Sequence, residues 1–430
     1  MTNYRYFIFA LVSLSYVLVF FHRLCPAVLA TDLQTTFGVS GTLLGVLGSA
    51  YFYPYAMMQL PVGVLADSWG PRKMISTFFM VAAAGSILMG MSPNLVMAIL
   101  GRILVGFGVS ALFVSNFKLL AEWFLPRDFV VMGGIFMTVG GIGALSSSVP
   151  LVWANSILGW RVTLVIIGLV TLIMAFLVLV FVRDRPSEMG LPCIADGRAG
   201  QPDVKRGLFE GLKMVIGSAR FWPPAVWSFF VVGTVFAFGG LWGGPYLMDV
   251  YRLSNLAAGG VLSTFAFALI GGAPFVSWLA NRIGRKTVLV GCSAVLLVIC
   301  TIFYAFTDRL TLPMLYGLFL GFFLVGAPAS PVVTAVAKEL FPVTIAGSSV
   351  GAVNVFPFLG AAVIQVAVGA LLTWSMEGTN PVQLAYSPAC YRNMFLLYMM
   401  GAAVSLVAAL FIRETIGGLD ADRDNRLESA

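Results

Sequence analysis

Arg23 interrupts the run YVLVFFHRLCPAVLA, and Arg102 interrupts GRILVGFGVSALF, each among residues that are otherwise almost all apolar. A guanidinium keeps its charge at any physiological pH and offers a planar fork that matches a carboxylate or a phosphate. Asp32 lies just past the end of the first run and Glu122 at the far end of the second, so neither run carries an acid at the depth of its arginine. A positive site without a counter-charge attracts an anion, which makes Arg23 and Arg102 candidate substrate-binding residues. Structural roles stand beside that reading. Arg23 is near enough to the end of its run to snorkel outward, and Arg102 can serve packing or gating. His22 is the sole histidine and the side chain whose ordinary pKa is closest to neutrality. It is a candidate for substrate contact and for proton coupling, and equally a candidate for a bond to a neighbouring helix.

Further along, Lys118 and Glu122 are four residues apart and can pair on one helix face, as a brace or a gate, and Asn116 adds a polar contact. The five cysteines, Cys25, Cys193, Cys292, Cys300 and Cys390, lack metal-ligand spacing and read as small apolar residues. There is no nucleophile with a base beside it and no phosphate-cradling loop. Neither an enzyme, a cofactor nor a metal site is expected.

These residues must be positioned by membrane-spanning elements. Hydrophobic residues make up 60% of the 430 and charged residues 10%, against roughly a quarter charged in a soluble domain. Twelve apolar runs of spanning length recur, at about 6–29, 42–66, 74–91, 95–123, 129–154, 160–182, 221–248, 256–281, 286–306, 311–339, 344–373 and 393–413. They do not alternate as barrel strands would, so they are predicted to be helices. The first run is longer than the apolar core of a signal peptide and reads as a retained helix. On this reading Arg23 and Arg102 lie roughly 9 and 10 Å from the same membrane face, at about 1.5 Å per residue.

Basic residues orient the chain. Arg72, Lys73, Arg127, Arg183, Arg185, Lys205, Arg206, Lys213, Arg220, Arg282, Arg285 and Lys286 fall on one side, with Arg161, Arg252, Arg309 and Arg392 on the other. The first side is predicted to face the cytoplasm with both termini, in an inner membrane. The net charge of +7 then reflects retained basic loops and not nucleic-acid binding.

The segment 183–220, with RDRPSEMGLPCIADGRAGQPDVKRG, reads as a cytoplasmic linker between residues 1–182 and 221–413, six predicted helices each, and 414–430 as a cytoplasmic tail. The two parts repeat. GVLADSWGPRKM (63–74) corresponds to SWLANRIGRKTV (277–288), with Asp67 matched by Asn281, Gly70 by Gly284, and basic residues after each glycine. Asp67, Gly70, Arg72, Lys73, Asn281, Gly284 and Arg285 are therefore candidate gating residues with Lys118 and Glu122, or else simple topology-fixing turns.

GVLADSWGPRK and GRILVGFG resemble the signature loop and the fourth-helix motif of the major facilitator superfamily. The resemblance covers essentially the whole chain. It implies two six-helix bundles around a central cavity that opens alternately to each side, so the expected fold class is an all-α polytopic membrane protein of twelve transmembrane helices. FFHRLCPAVLA and GRILVGFGVSALF look like the organic anion branch, which includes carriers of sugar acids, glutamate and organic phosphates. That likeness implies substrate-binding roles for Arg23 and Arg102. The chain departs from the pattern at Val109, where many members carry a proton-handling glutamate, and in its seventh run, which lacks the arginine used by organic phosphate carriers.

Polar and aromatic residues at kinked or glycine-rich places complete the expected substrate site: Tyr51, Tyr55 and Gln59 around Pro54, Trp242 and Tyr246 in a loosened WGGPY segment, and Asn354 near Pro357. Tyr53, the GAPASP segment (326–331) and Gln365 belong to the same set of kinked places. The expected function is secondary transport of a small organic anion, proton-coupled, by a monomer among membrane lipids. An exporter or facilitator of amphipathic compounds, peptides or neutral metabolites is the alternative, and a non-transporting membrane sensor a third.

Overall fold

The computed structural model describes residues 2–190, 208–342, 345–376 and 385–415. Most of the predicted linker (191–207), most of the predicted tail (416–430), Cys193, Lys205 and Arg206 lie outside the described residues. The chain is all-α. Among the described residues, ten helices are long and apolar enough to cross a membrane. The expected twelve spans in two six-helix bundles are thus corrected to an all-α polytopic membrane fold with ten such helices.

The difference has local causes. The run 42–66 is divided into α2 (Gly41–Ser49), α3 (Phe52–Met58) and α4 (Pro61–Trp69). Pro54 cannot donate to the carbonyl of Ala50, and Pro61 cannot donate to that of Met57, so the regular helical bonding is interrupted at residues 50–51 and 59–60, ahead of each proline, while the backbone there stays in the right-handed helical region. The run 129–154 is interrupted after α8 (Pro126–Ser146), where Ser147 and Ser148 leave helical geometry. Its last residues join α9 (Val149–Phe181), within which Gly159 stands at φ 74°.

The other spans follow the apolar runs, except that α1 continues eight residues past the predicted end at 29. α1 (Thr2–Phe37) carries Arg23, α5 is Pro71–Gly90, and α6 (Leu95–Ser110) meets α7 (Leu112–Trp123) at Ala111. After a short α10 (Leu208–Ile216), α11 (Trp222–Ala237) leads through five π-helical residues, Phe238–Trp242, into α12 (Gly243–Tyr251). The loosened segment therefore starts one turn earlier than WGGPY suggests. α13 (Asn255–Leu262) and α14 (Thr264–Ile283) precede α15 (Arg285–Ala305). α16 (Leu312–Leu324) and α17 (Ser330–Glu339) are separated at GAPASP as expected, and α18 (Ala346–Trp374) and α19 (Pro388–Phe411) complete the order.

Two ends of the molecule can be distinguished by charge. At the basic end, the Tyr4 hydroxyl donates to the Phe181 carbonyl and Trp123 donates to the Arg183 carbonyl. The turns before α5 and α15 are built alike there. Gly70 (φ 81°) and Gly284 (φ 95°) occupy a backbone region that side chains avoid. Asp184 then accepts the Arg72 backbone N–H at 2.6 Å, and Glu414 accepts those of Arg285 and Lys286 at 3.0 Å. The carboxylates come from matching sequences, FVRD (181–184) and FIRE (411–414), a second repeat beyond the one at residues 63 and 277.

Residues before 191 and after 207 meet along α2 and α3 against α18, α8 against α14, and α1 against the π-helical segment and α12. At the end away from the basic turns this seam is polar. Gln34 reaches the Tyr386 hydroxyl at 3.3 Å, and Thr42 meets Thr373 through its N–H and hydroxyl, both at 3.1 Å. Deeper in the seam, a methyl added at Gly48 would meet the Gln365 side chain at 2.7 Å, so helix contact here depends on the missing Cβ.

Candidate functional site

Tyr16, Phe20 and Arg23 recur at spacings of four and three and so share one face of α1. Arg23 is only 3% exposed, so it does not snorkel to the membrane surface. Its guanidinium carbon lies 4.9 Å from the ring centres of Phe20 and Tyr55, 5.1 Å from Phe236 and 5.2 Å from Phe358. Its Nε donates to the Tyr51 hydroxyl at 3.3 Å, while Nη2 is buried with no hydrogen-bond partner. The four rings come from α1, α3, α11 and α18, so Arg23 lies where helices before residue 191 and after residue 207 meet. A buried charge costs several kcal/mol. Ring faces, at about 2 kcal/mol each when desolvated, offset part of it.

Arg102 is equally deep but placed differently. It is 1% exposed, its Nη1 donates to the His22 carbonyl at 2.8 Å, and its guanidinium lies 4.9 Å from the Tyr51 ring centre. Tyr51 thus stands between the two arginines, its ring over Arg102 and its hydroxyl on Arg23. α6 comes this close because a methyl at Gly106 would run into the Tyr51 backbone. The Nε and Nη2 of Arg102 have no partner.

His22 points away from Arg23. Its Nε2 is 3.0 Å from the Thr171 hydroxyl on α9, and that hydroxyl donates to the Ile167 carbonyl at 2.8 Å. The threonine oxygen therefore accepts from the Nε2–H of His22.

Of the other expected site residues, Tyr51 and Tyr55 are at the site, their rings stacked at 5.8 Å, with Tyr55 4.2 Å from Phe358. Gln59 is half-buried and donates to the Tyr55 carbonyl. Asn116 is buried beside α1, giving its amide to Val12 while its Oδ1 is unpartnered. Trp242 is enclosed and donates to the Gln365 carbonyl at 3.1 Å. Tyr246 lies among Phe303, Tyr391 and Phe395 with its hydroxyl on the Thr307 carbonyl, inside an aromatic core apart from Arg23. Asn354 accepts from Thr334 at 3.3 Å.

Among the gating candidates, Lys118 turns to α4, not to Glu122: its Nζ is 2.7 Å from Asp67 and 2.8 Å from the Ala66 carbonyl. Arg72 binds the Leu179 carbonyl through Nε. Arg285 pairs with Glu339. Lys73 and Asn281 are exposed, and Glu122 is half-buried. Gly70 and Gly284 form the tight turns described above.

Three site residues escaped the sequence reading. Phe20, Phe236 and Phe358 look like ordinary apolar residues in apolar runs, and their shared contact with Arg23 is a tertiary fact. Gln365 did stand out as a polar residue in a kinked run. It is 1% exposed, and both polar atoms of its side chain lack partners.

Among the described residues, ten helices of spanning length and composition define a multi-span helical membrane protein. The chain belongs to the Major Facilitator Superfamily, whose model matches residues 12–365 and 244–424. It is a multi-pass inner-membrane protein and a secondary transporter of that superfamily. It is 24% identical over 403 residues to a probable hexose phosphate transport protein of Chlamydia muridarum, covering 87% of this chain and 88% of that one. It is also 27% identical over 187 residues to a probable sulfoacetate transporter of Cupriavidus necator, where the match spans 43% of each chain. The fold resembles that of a bacterial homologue of the human lysosomal transporter Spinster, with TM-score 0.76 at 18% identity over 96% of this chain and 98% of the other.

Proposed function

We propose that the protein moves a small organic anion across the inner membrane by alternating access and that Arg23 is its anion-binding group. One observation carries the reading: the Arg23 guanidinium is buried at the meeting of four helices, faces aromatic rings in place of a carboxylate, and retains an unpartnered Nη2. A charge kept in that position at a cost of several kcal/mol is explained by a ligand of opposite sign. The names of the two relatives, a hexose phosphate transport protein and a sulfoacetate transporter, agree with an anionic cargo in the organic anion branch.

In this reading residues 1–182 and 221–413 are the two moving units. They rock about the Arg23 level while the polar contacts of Gln34 with Tyr386 and Thr42 with Thr373 close one end. Arg102 braces α6 against α1 through the His22 carbonyl and supports Tyr51 from behind. The coupling role expected of His22 is not retained, since its ring faces Thr171. The basic-end pairs, Lys118 with Asp67 and Arg285 with Glu339, each hold one unit together and set the shape of its turn.

Ligand-induced thermal stabilisation of the purified protein tests the binding claim, because a ligand bound only by the folded state raises apparent stability. Carboxylates, sugar acids, organic phosphates, peptides and lipophilic cations are compared on the wild type and on Arg23→Gln. Stabilisation by anions that disappears in Arg23→Gln is expected. Equal stabilisation of both proteins by neutral or cationic compounds alone would assign Arg23 a structural role.

A further inference from the structure

We propose that the Arg23 site selects a singly charged carboxylate carried on a flat aromatic or apolar body, ahead of phosphate esters and polyhydroxylated sugar acids. The inference rests on the anion reading above and narrows it by charge and by wall chemistry.

Arg23 offers the edge of its guanidinium that carries Nη2. Arg102 is separated from that edge by the Tyr51 ring; its Nη1 donates to the His22 carbonyl, and its unpartnered Nε and Nη2 lie on the far side of that ring from the Phe20, Tyr55, Phe236 and Phe358 contacts of Arg23. Lys118, the next basic side chain along α7, is held by Asp67 and the Ala66 carbonyl at the basic end. Arg23 is therefore the guanidinium that faces a ligand among these rings, with Tyr51 between it and Arg102. A phosphate ester carries nearly two charges near neutral pH, and in a site of low dielectric the second would be desolvated without a cation beside it. A carboxylate matches the single fork.

Around the guanidinium stand Phe20, Tyr55, Phe236 and Phe358. Phe236 and Phe358 are stacked at 5.9 Å with their planes 18° apart, and Tyr51 and Tyr55 at 5.8 Å with planes 21° apart. Tyr55 of α3 touches Phe358 of α18 at 4.2 Å between ring centres, so these two stacks close on each other across the seam. A flat body entering between them exchanges ring–ring contact for ring–ligand contact and loses little. A polyol entering the same place must bury hydroxyls, and each one left without a partner carries a desolvation penalty.

Thermal stabilisation of the full-length purified chain distinguishes the cases, using benzoate, gluconate, glucose 6-phosphate and, as the uncharged control, benzamide. Benzoate is expected to stabilise at concentrations on the order of tenfold below gluconate or glucose 6-phosphate, the scale on which an apolar pocket discriminates. Benzamide is expected to do nothing, and Arg23→Gln to abolish the benzoate effect. Phe358→Leu, which keeps an apolar side chain of similar reach, is expected to weaken benzoate roughly tenfold and leave the weaker gluconate response in place. If Arg23→Gln does not fold, Arg23→Lys replaces it, with benzoate expected to weaken because the planar fork is lost. Gluconate or glucose 6-phosphate binding at least as tightly as benzoate, in an Arg23-dependent manner, would overturn this inference and leave the anion reading intact. Failure of every anion to stabilise would overturn both.

Discussion

Arg23 and Gln365 present opposite problems of burial. The arginine is compensated by four ring faces and one hydroxyl, whereas the glutamine has neither of its polar atoms paired. An orphaned amide costs about 1–3 kcal/mol, and an apolar residue of similar shape removes that cost. Gln365→Leu is therefore expected to raise the melting temperature of the unliganded protein. A lowered melting temperature would mean that the amide is satisfied by bound water or by another state of the seam. That Arg23 needs a special setting was legible in the sequence, since a charge inside an apolar run has to reach water or be enclosed by protein. Its distance from the helix end was not, because α1 continues to Phe37 while the apolar run ends near residue 29. Its partners were not, because the Phe236 and Phe358 rings arrive from helices more than two hundred residues away. The direction of His22 was open for a related reason: adjacent residues on a helix point about 100° apart, and only packing against α9 decides which of them faces the seam.

At the level of elements, prolines and glycines were the readable signals. GAPASP separates α16 from α17 as expected, and the breaks before Pro54 and Pro61 fall where missing N–H donors require them. Counting apolar runs still gave twelve spans because hydropathy registers the apolar length and not where helical hydrogen bonding is interrupted. The run 42–66 is mostly apolar yet is three helices. The FVRD and FIRE repeat was present to be read, but four residues carry little weight until the structure shows both acids on helix N-termini. Asp184→Ala is expected to cost about 0.5–2 kcal/mol, the range for loss of a cap, by freeing the Arg72 N–H, and Glu414→Ala should act likewise at α15. Burial raises the Asp184 pKa above its ordinary value, against the smaller opposing pull of the Arg72 N–H. The folded state therefore takes up the proton first. Relative to Asp184→Asn, the wild type should gain stability as the pH falls through the folded pKa toward 3.8 and lose that gain as the pH rises again. Melting curves of both proteins across that window check the sign, and a difference that shrinks on acidification would show the carboxylate to be stabilised as the anion.

At the scale of the molecule, polar contacts cross the seam at the end away from the basic turns. The side-chain oxygens of Thr42 and Thr373 are 3.1 Å apart across it. A double variant, Thr42→Cys with Thr373→Cys, is expected to form a disulfide under mild oxidation and to hold that end shut. The oxidised protein should still bind an anion entering from the basic end and should not carry it across, with reduction restoring passage. Transport that persists after full cross-linking would show that this seam does not open during the cycle. The part of the whole that was legible in sequence is the membrane class, the superfamily and the asymmetry of basic residues between the two ends. Which helices touch across the seam was not legible, since small residues such as Gly48 permit close contact without specifying a partner.

The central claim is that Arg23 binds the transported anion. Uptake into proteoliposomes, for the anion that best stabilises the purified protein, tests it most directly when wild type and Arg23→Gln are reconstituted side by side. The account expects saturable uptake by the wild type and none above protein-free vesicles by a folded Arg23→Gln. Equal uptake by the two proteins, or wild-type transport confined to neutral or cationic compounds, would contradict it.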